Sequence, residues 1–191
     1  MPEINDLLAR YLSILRKTFY LDQEVDYNSP LEDKRYLLDS LNLRDAFFAA
    51  WGKFVNELSE NNKARIRDFS EVGGRHSFNC LYIYDNLAVE PSGMIISISL
   101  PIKAVGFYCY KFQNISEEET ETVESYFPLD DEMKKIQQII IKQLIMHFPA
   151  FGIFEPLCSD FKISKVMIDE KMYDNIDLWQ ILFTTNLSIL M

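Results

Sequence analysis

The chain has 191 residues, a formal net charge of −10 and a hydrophobic fraction of 48%. A chain of this length fits one domain, and its ordinary balance of apolar and charged residues argues against disorder. A negative field of this size repels polyanions, which disfavours DNA, RNA and anionic membranes as general partners, although Lys63, Arg65 and Arg67 form a short basic run. We therefore predict a single domain over residues 1–191 that binds neither nucleic acid nor membrane.

The first third of the chain predicts two helices. Residues 22–39 form a polar connection with a turn signal at Asn28-Ser29-Pro30, so the second helix is expected to begin near Ser40. Both helices carry apolar side chains at the spacing of one helical face. In the first they are Ile4, Leu7, Leu8, Tyr11, Leu12, Leu15 and Phe19, and in the second Phe47, Phe48, Trp51, Phe54, Val55 and Leu58.

The middle of the chain predicts a three-strand antiparallel meander. Gly73-Gly74 marks a turn, after which the apolar period changes from helical spacing to two. The predicted strands are residues 78–84, 94–100 and 105–112. Their short connections favour antiparallel neighbours. In the second strand, Ser97 and Ser99 alternate with apolar residues, which predicts one buried and one solvated face.

The C-terminal part predicts one long helix and one or two strands. Residues 131–148 carry a wide apolar arc that includes Ile139 and Ile145, which predicts a well-buried helix. Residues 163–168 and 178–184 follow as candidate strands. The predicted fold class is therefore α+β, with an antiparallel sheet packed against about three helices. The sheet would consist of the three-strand meander and one or two C-terminal strands.

An acidic segment, residues 113–132, separates the meander from the long helix. It contains neither Lys nor Arg and is predicted to be a loop or a short helix. Clustered carboxylates steer a cationic partner and an embedded aromatic supplies the desolvated contact, so we predict a partner-binding surface. A solvated segment that only keeps the protein soluble is the alternative. The predicted contact residues are Glu117, Glu118, Glu119, Glu121, Glu124, Tyr126, Asp130 and Asp131.

Tyrosines of the predicted strands offer a second candidate surface: Tyr82, Tyr84, Tyr108 and Tyr110. Tyrosine suits interfaces because it joins apolar area to a hydroxyl, although cross-strand packing under a helix explains the same pattern. Such a surface, or an exposed sheet edge, would serve a structural or adaptor subunit that self-associates, for example as a homodimer.

The cysteines and the first residues bear on the compartment. The three cysteines, Cys80, Cys109 and Cys158, are odd in number and widely spaced, which is typical of reduced thiols and not of a disulfide framework. Met1-Pro2-Glu3 opens without a basic region, and no apolar stretch follows that would serve as a secretory signal. No apolar run reaches the roughly 18 residues that span a bilayer. We expect a cytoplasmic protein.

Motifs for cofactor, metal and phosphate binding are missing from the sequence, which has no G-x-G-x-x-G, P-loop, H-E-x-x-H or C-x-x-C. We therefore predict no cofactor, no metal and no enzymatic activity. The alternative is an enzyme of unrecognised class that uses His76 to activate Cys80 as a thiolate. Four residues along a strand separate the two by about 13 Å, and Cys80 shares its face with apolar Phe78, so packing is the favoured role.

The stretch from Asp177 to Asn186, D-L-W-Q-I-L-F-T-T-N, resembles the closing strand-and-turn segment of small acidic immunity proteins from bacterial contact-dependent and polymorphic toxin systems. The predicted order of helices and strands resembles them as well. The resemblance implies a non-enzymatic protein that binds and blocks one cognate toxin in the producing cell's cytoplasm. The acidic segment would then face a basic toxin domain, such as a nuclease. These families share no catalytic motif, so no site residue is carried over.

Overall fold

A computed structural model describes residues 4–18, 20–21, 30–62, 65–70, 77–83, 92–114, 120–168 and 171–183. The helices are α1 (Ile4–Thr18), α2 (Pro30–Asn62), α3 (Asp131–His147) and α4 (Leu178–Phe183), with a 3-10 turn at Pro156–Cys158. The strands are β1 (Tyr20–Leu21), β2 (Arg65–Asp68), β3 (Ser77–Ile83), β4 (Gly93–Ser99), β5 (Ala104–Asn114), β6 (Thr120–Ser125), β7 (Gly152–Ile153), β8 (Lys162–Ile168) and β9 (Lys171–Asp177).

Two sheets organise these elements. The large sheet has the order β2-β3-β4-β5-β6 with antiparallel neighbours, and β7 pairs in parallel with the start of β5. The small sheet has the order β1-β8-β9. The α+β class and the β3-β4-β5 meander are confirmed, and the C-terminal strands form their own sheet instead of extending the meander.

One face of the large sheet is covered by α2 and α3. Its apolar side chains, among them Phe78, Ile96 and Phe107, are packed with Trp51 and Phe54 of α2 in one buried cluster. The predicted apolar stripe of α2 is buried at these positions, but Phe48 is 54% exposed. This layer forms because alternate strand residues and one helical stripe both present apolar surface that must leave water.

Polar contacts also fix α2 against the sheet. The indole Nε1 of Trp51 donates to Oδ2 of Asp68 at 3.0 Å. The guanidinium of Arg44 donates to the carbonyl oxygens of Ser70, at 2.6 Å, and Ser77, at 3.2 Å. These bonds give the end of β2 and the start of β3 a common anchor on the helix, and they satisfy carbonyls that would otherwise need water.

On the opposite face of the large sheet, α4 packs on a patch of small and polar residues. Asn79 lies directly opposite Ser97, and Ser97 lies opposite Gly106, so the three share this face. Trp179 and Phe183 of α4 lie over Gly106. The prediction that this face is solvated was wrong, because Ser97 and its neighbours are fully buried beneath a helix that the strand pattern alone does not reveal.

The remaining elements complete a second buried cluster around α4. Tyr11 and Leu15 of α1 are buried in it, and the Tyr11 ring lies 5.1 Å from that of Phe154. Ile163 and Ile176 of the small sheet join the same cluster. The predicted apolar face of α1 is therefore used, with its first residue, Ile4, left exposed.

Helix α2 starts ten residues earlier than expected, at Pro30 instead of near Ser40. Proline is tolerated in the first helical turn because the N–H it lacks has no intrahelical acceptor there. Helix α3 is less buried than expected, because Ile139 is 45% and Ile145 is 52% exposed. Its buried positions centre on Ile140 and Leu144.

Two predictions of local structure were wrong. Residues 120–125 form the edge strand β6 instead of a loop or short helix, because their backbone groups pair with β5. Residues 178–183 form α4 instead of a strand. The last strand is the polar segment Lys171–Asp177, which the sequence analysis did not identify. The segment that resembles immunity proteins therefore contains a helix where a closing strand was expected.

Candidate partner-binding surface

The structure separates the residues of the predicted acidic surface. Glu117, Glu118 and Glu119 lie outside the described residues. Glu121 and Glu124 are both exposed on β6, but they are three positions apart and therefore project from opposite faces of the strand. The acids do not form one continuous patch on β6.

Glu124 lies on the side of the sheet that carries α4. Its Oε2 accepts a hydrogen bond from the hydroxyl of Tyr108 at 2.5 Å. Burial, and then this hydrogen bond, raise the pKa of Tyr108 far above its ordinary value. The Tyr108 ring lies 5.3 Å from the ring of Tyr126, so Glu124 and Tyr126 belong to one site.

Asp130 and Asp131 begin helix α3. Asp130 is the N-cap residue, and its Oδ1 accepts from the backbone N–H of Met133 at 2.7 Å. Its Oδ2 lies 2.7 Å from Nζ of Lys111 on β5. Asp130 therefore has a structural role, whereas Asp131 is exposed in the first turn.

The predicted tyrosine surface is divided as well. Tyr82 is buried in the cluster beneath α2 and α3, whereas Tyr108 belongs to the cluster around α4. Tyr110 is two residues from Tyr108 on β5 and shares its face. Tyr84 lies outside the described residues. The pattern therefore reflects cross-strand packing on two faces more than a single tyrosine surface.

A pocket of about 110 Å³ lies where β5 changes partner. At one edge, β5 pairs with β7 up to Val105 and with β6 from Cys109 onward. At that edge, residues 106–108 of β5 pair with neither of these two strands. Aromatic and aliphatic side chains fill most of the wall. The lining residues are Phe107, Tyr126, Phe127, Pro128, Gln137, Ile141, Ile153, Phe154, Pro156 and Trp179.

Trp179 is the most buried part of this wall. It is 1% exposed, and its ring centroid lies 5.1 Å from that of Tyr126 and 6.1 Å from that of Phe154. Its indole Nε1 has no hydrogen-bond partner among the described residues. A buried donor without an acceptor is unfavourable.

Carboxylates surround the Tyr126 side of the pocket. Burial, followed by the charges of Asp160, Asp177 and Glu124, raises the pKa of Tyr126 to about 12. Asp177 is partly neutralised because its Oδ1 lies 2.6 Å from Nζ of Lys162. Asp160 and Glu124 are exposed, so the surface beside the pocket has a negative potential.

The rim of the pocket is apolar and open to solvent. Phe127 is 47% and Ile153 is 46% exposed, and Leu157, which follows the lining residue Pro156, is 62% exposed. Large apolar side chains that cluster on a surface next to a pocket mark a binding site more often than isolated ones do. We call the pocket together with Phe127, Ile153 and Leu157 the aromatic site.

The alternative catalytic pair receives no support from the surroundings of Cys80. Its side chain is fully buried in the α2–α3 cluster, and burial, then the charge of Asp68, raises the pKa of this thiol well above its ordinary value. A thiol held in its neutral form is a poor nucleophile. His76 lies outside the described residues.

Within the described part of the chain, no three His, Cys, Asp or Glu side chains come together as a metal site. No described helix has the length and apolar character needed to cross a bilayer. Comparisons of the chain with protein-family models, curated proteins and solved structures find no significant match.

Proposed function

We propose that this chain is a non-enzymatic protein-binding module that contacts its partner through the aromatic site. The observation that carries the proposal is the exposure of Phe127, Ile153 and Leu157 beside a pocket whose wall contains Trp179. Aromatic anchors in desolvated pockets supply most of the binding energy in protein interfaces. The sequence did not predict this site, apart from Tyr126, because its walls come from segments far apart in the chain.

The finer proposal is an immunity protein that inhibits a basic bacterial toxin domain in the cytoplasm. It is supported by the net charge of −10 and by Asp160 and Glu124 next to the apolar rim. Complementary charge accelerates association and selects the partner, while the apolar centre holds it. A gene for a secreted protein with a small toxin-like C-terminal domain next to the gene for this chain would support this proposal strongly.

The experiment is affinity capture from the native host with the purified chain as bait. Phe127→Asp and Ile153→Asp place a charge on the rim, and each is expected to weaken partner binding about tenfold or more. Phe48→Asp is the matched control, since Phe48 is 54% exposed on α2 and does not line the pocket. Equal binding by all three variants would reject the aromatic site.

The contribution of charge is tested in the same assay. Replacing Glu117, Glu118, Glu119 and Glu121 together by Lys should weaken binding and reduce its dependence on salt. Unchanged affinity and unchanged salt dependence would show that the partner does not use these acids, even if it uses the rim.

Self-association is a second candidate function, favoured by a specific feature of α3. Ile139, Ile145 and Met146 are 45%, 52% and 68% exposed on this helix. Light scattering over a range of concentrations tests it, and Ile145→Lys should shift any dimer toward monomer. A strict monomer at all concentrations would exclude this function.

A further inference from the structure

The aromatic site has the chemistry of a receptor for one cationic side chain. Its walls include the aromatic rings of Tyr126, Phe127 and Trp179, of which Phe127 is exposed and Trp179 is buried. None of the described residues that line the pocket carries a positive charge, and exposed Asp160 and Glu124 stand on the Tyr126 side. Ring faces attract cations through their quadrupole. The aromatic walls and the nearby carboxylates therefore both favour a positively charged ligand.

The size of the pocket limits what can enter. A cavity of about 150 Å³ is enough to hold benzene, and this pocket, at about 110 Å³, admits a smaller group. A guanidinium head is smaller than benzene and is planar, so it can stack on a ring. Arginine is also enriched in protein interfaces, where lysine is depleted.

We propose that the pocket receives the guanidinium group of an arginine side chain from a basic protein partner. This inference rests on the proposed function and names the group that the aromatic site recognises. The methylene stem packs against Phe127 and Ile153 at the rim, and the charged head meets the ring faces and the field of the nearby carboxylates. Burial of the stem and attraction of the head both contribute to affinity.

The test uses the full ¹⁵N-labelled chain and a peptide probe, acetyl-Gly-Arg-Gly-amide, whose only charge is its guanidinium. The readout is the indole N–H resonance of Trp179. The indole of Trp51 is the internal reference, because it lies in the other cluster and donates to Asp68. We expect a saturable shift of the Trp179 resonance only, and added salt should weaken binding.

Three further peptides separate charge, shape and stem. A citrulline peptide keeps the planar shape without the charge, a norleucine peptide keeps only the stem, and a lysine peptide replaces the planar cation by a compact one. Each is expected to bind about threefold or more weakly than the arginine peptide. Equal or tighter binding of citrulline or norleucine would overturn the cation assignment, and equal binding of lysine would overturn the assignment of arginine.

Variants place the effect at the site. Asp160→Asn should weaken the arginine peptide about twofold or more while leaving the norleucine peptide unchanged. Glu60→Gln, an exposed acid on α2, is the matched control and should leave both unchanged. Equal effects of the two variants would show that binding depends only on the net charge of the protein, and would overturn the local recognition of the guanidinium group.

Failure of the arginine proposal can be distinguished from failure of the proposed function. If no peptide shifts the Trp179 resonance but Phe127→Asp still abolishes capture of a protein partner, the partner uses the rim and the arginine inference fails. If the arginine peptide binds while Phe127→Asp and Ile153→Asp leave partner capture intact, the pocket is a cation receptor and the proposed function fails.

Discussion

Gly106 and Trp179 are in direct contact between the large sheet and α4. A methyl group at Gly106 would lie 2.6 Å from Cη2 of Trp179 and 2.8 Å from Cζ of Phe183, well inside the separation at which carbon atoms attract. The indole can therefore lie on β5 only because position 106 has no side chain. This contact fixes the most buried wall of the aromatic site.

Gly106→Ala should lower the free energy of unfolding by about 2 kcal/mol, because the added methyl group overpacks the contact with α4. Urea denaturation monitored by circular dichroism measures it. Gly152→Ala is the matched control, since a methyl group there meets nothing within 4 Å, and its effect should stay within about 0.5 kcal/mol. Equal effects of the two substitutions would contradict the packing argument.

Asp130→Ala should lower the free energy of unfolding by about 1 kcal/mol or more, because it removes the cap of α3 and the partner of Lys111. Asp131→Ala should change it by less than about 0.5 kcal/mol, since that side chain is exposed and acts only through the helix dipole. Thermal unfolding of both variants is the measurement. Similar losses would show that the first turn is stabilised by charge and not by the cap.

The raised pKa of Tyr126 makes a prediction about alkaline stability. Its folded value of about 12 lies above the ordinary 10.0, so the folded chain holds this proton more tightly than the unfolded chain. The contribution to stability is complete below about pH 10 and is lost as the pH rises toward the folded value. Denaturant titrations above about pH 10 should show that the free energy of unfolding decreases less with pH for Tyr126→Phe than for the wild type. An equal decrease in both proteins would contradict the prediction.

Elements with a strong period could be predicted from the sequence. Helix α1 and the meander follow from side chains spaced for one helical face or for alternate strand positions. Helix α4 was missed because a run of six residues, apolar except for Gln180, fits a strand or a helix equally well. A capping signal was nevertheless present, since the backbone N–H of Asp177 donates to Oε1 of Gln180 at 3.3 Å, the reciprocal half of a capping box.

The aromatic site could not be predicted because no local pattern encodes it. Phe107, Tyr126, Phe154 and Trp179 come from four separate segments, and only the tertiary arrangement brings them together. Of the contact residues predicted in the acidic segment, Tyr126 lines this site and Glu124 lies beside Tyr126. Strand β6 was missed because acidic side chains are poor strand formers, although on an edge strand they remain solvated and oppose unwanted pairing.

Buried hydroxyls on the α4 face of the sheet give the last prediction. Oγ of Ser97 has no hydrogen-bond partner among the described residues and is fully buried. Ser97→Ala removes an unsatisfied polar group without leaving a cavity, and it should raise the free energy of unfolding by about 1 kcal/mol. Urea denaturation of the variant and of the wild type measures the difference.

Ser70→Ala is the matched control, because this serine is also buried but its hydroxyl makes two hydrogen bonds. Its Oγ donates to the carbonyl oxygen of Asn79 at 3.1 Å and accepts from the N–H of Asn79 at 2.9 Å. Losing both bonds leaves the N–H of Asn79 unsatisfied, whereas its carbonyl oxygen still accepts from the N–H of Phe69 at 3.1 Å. The substitution should lower the free energy of unfolding by about 2 kcal/mol. The two substitutions are chemically identical, so opposite signs would show that hydrogen bonding decides their effect. A loss of stability in Ser97→Ala would contradict the prediction, since it would mean that this hydroxyl also has a partner in solution.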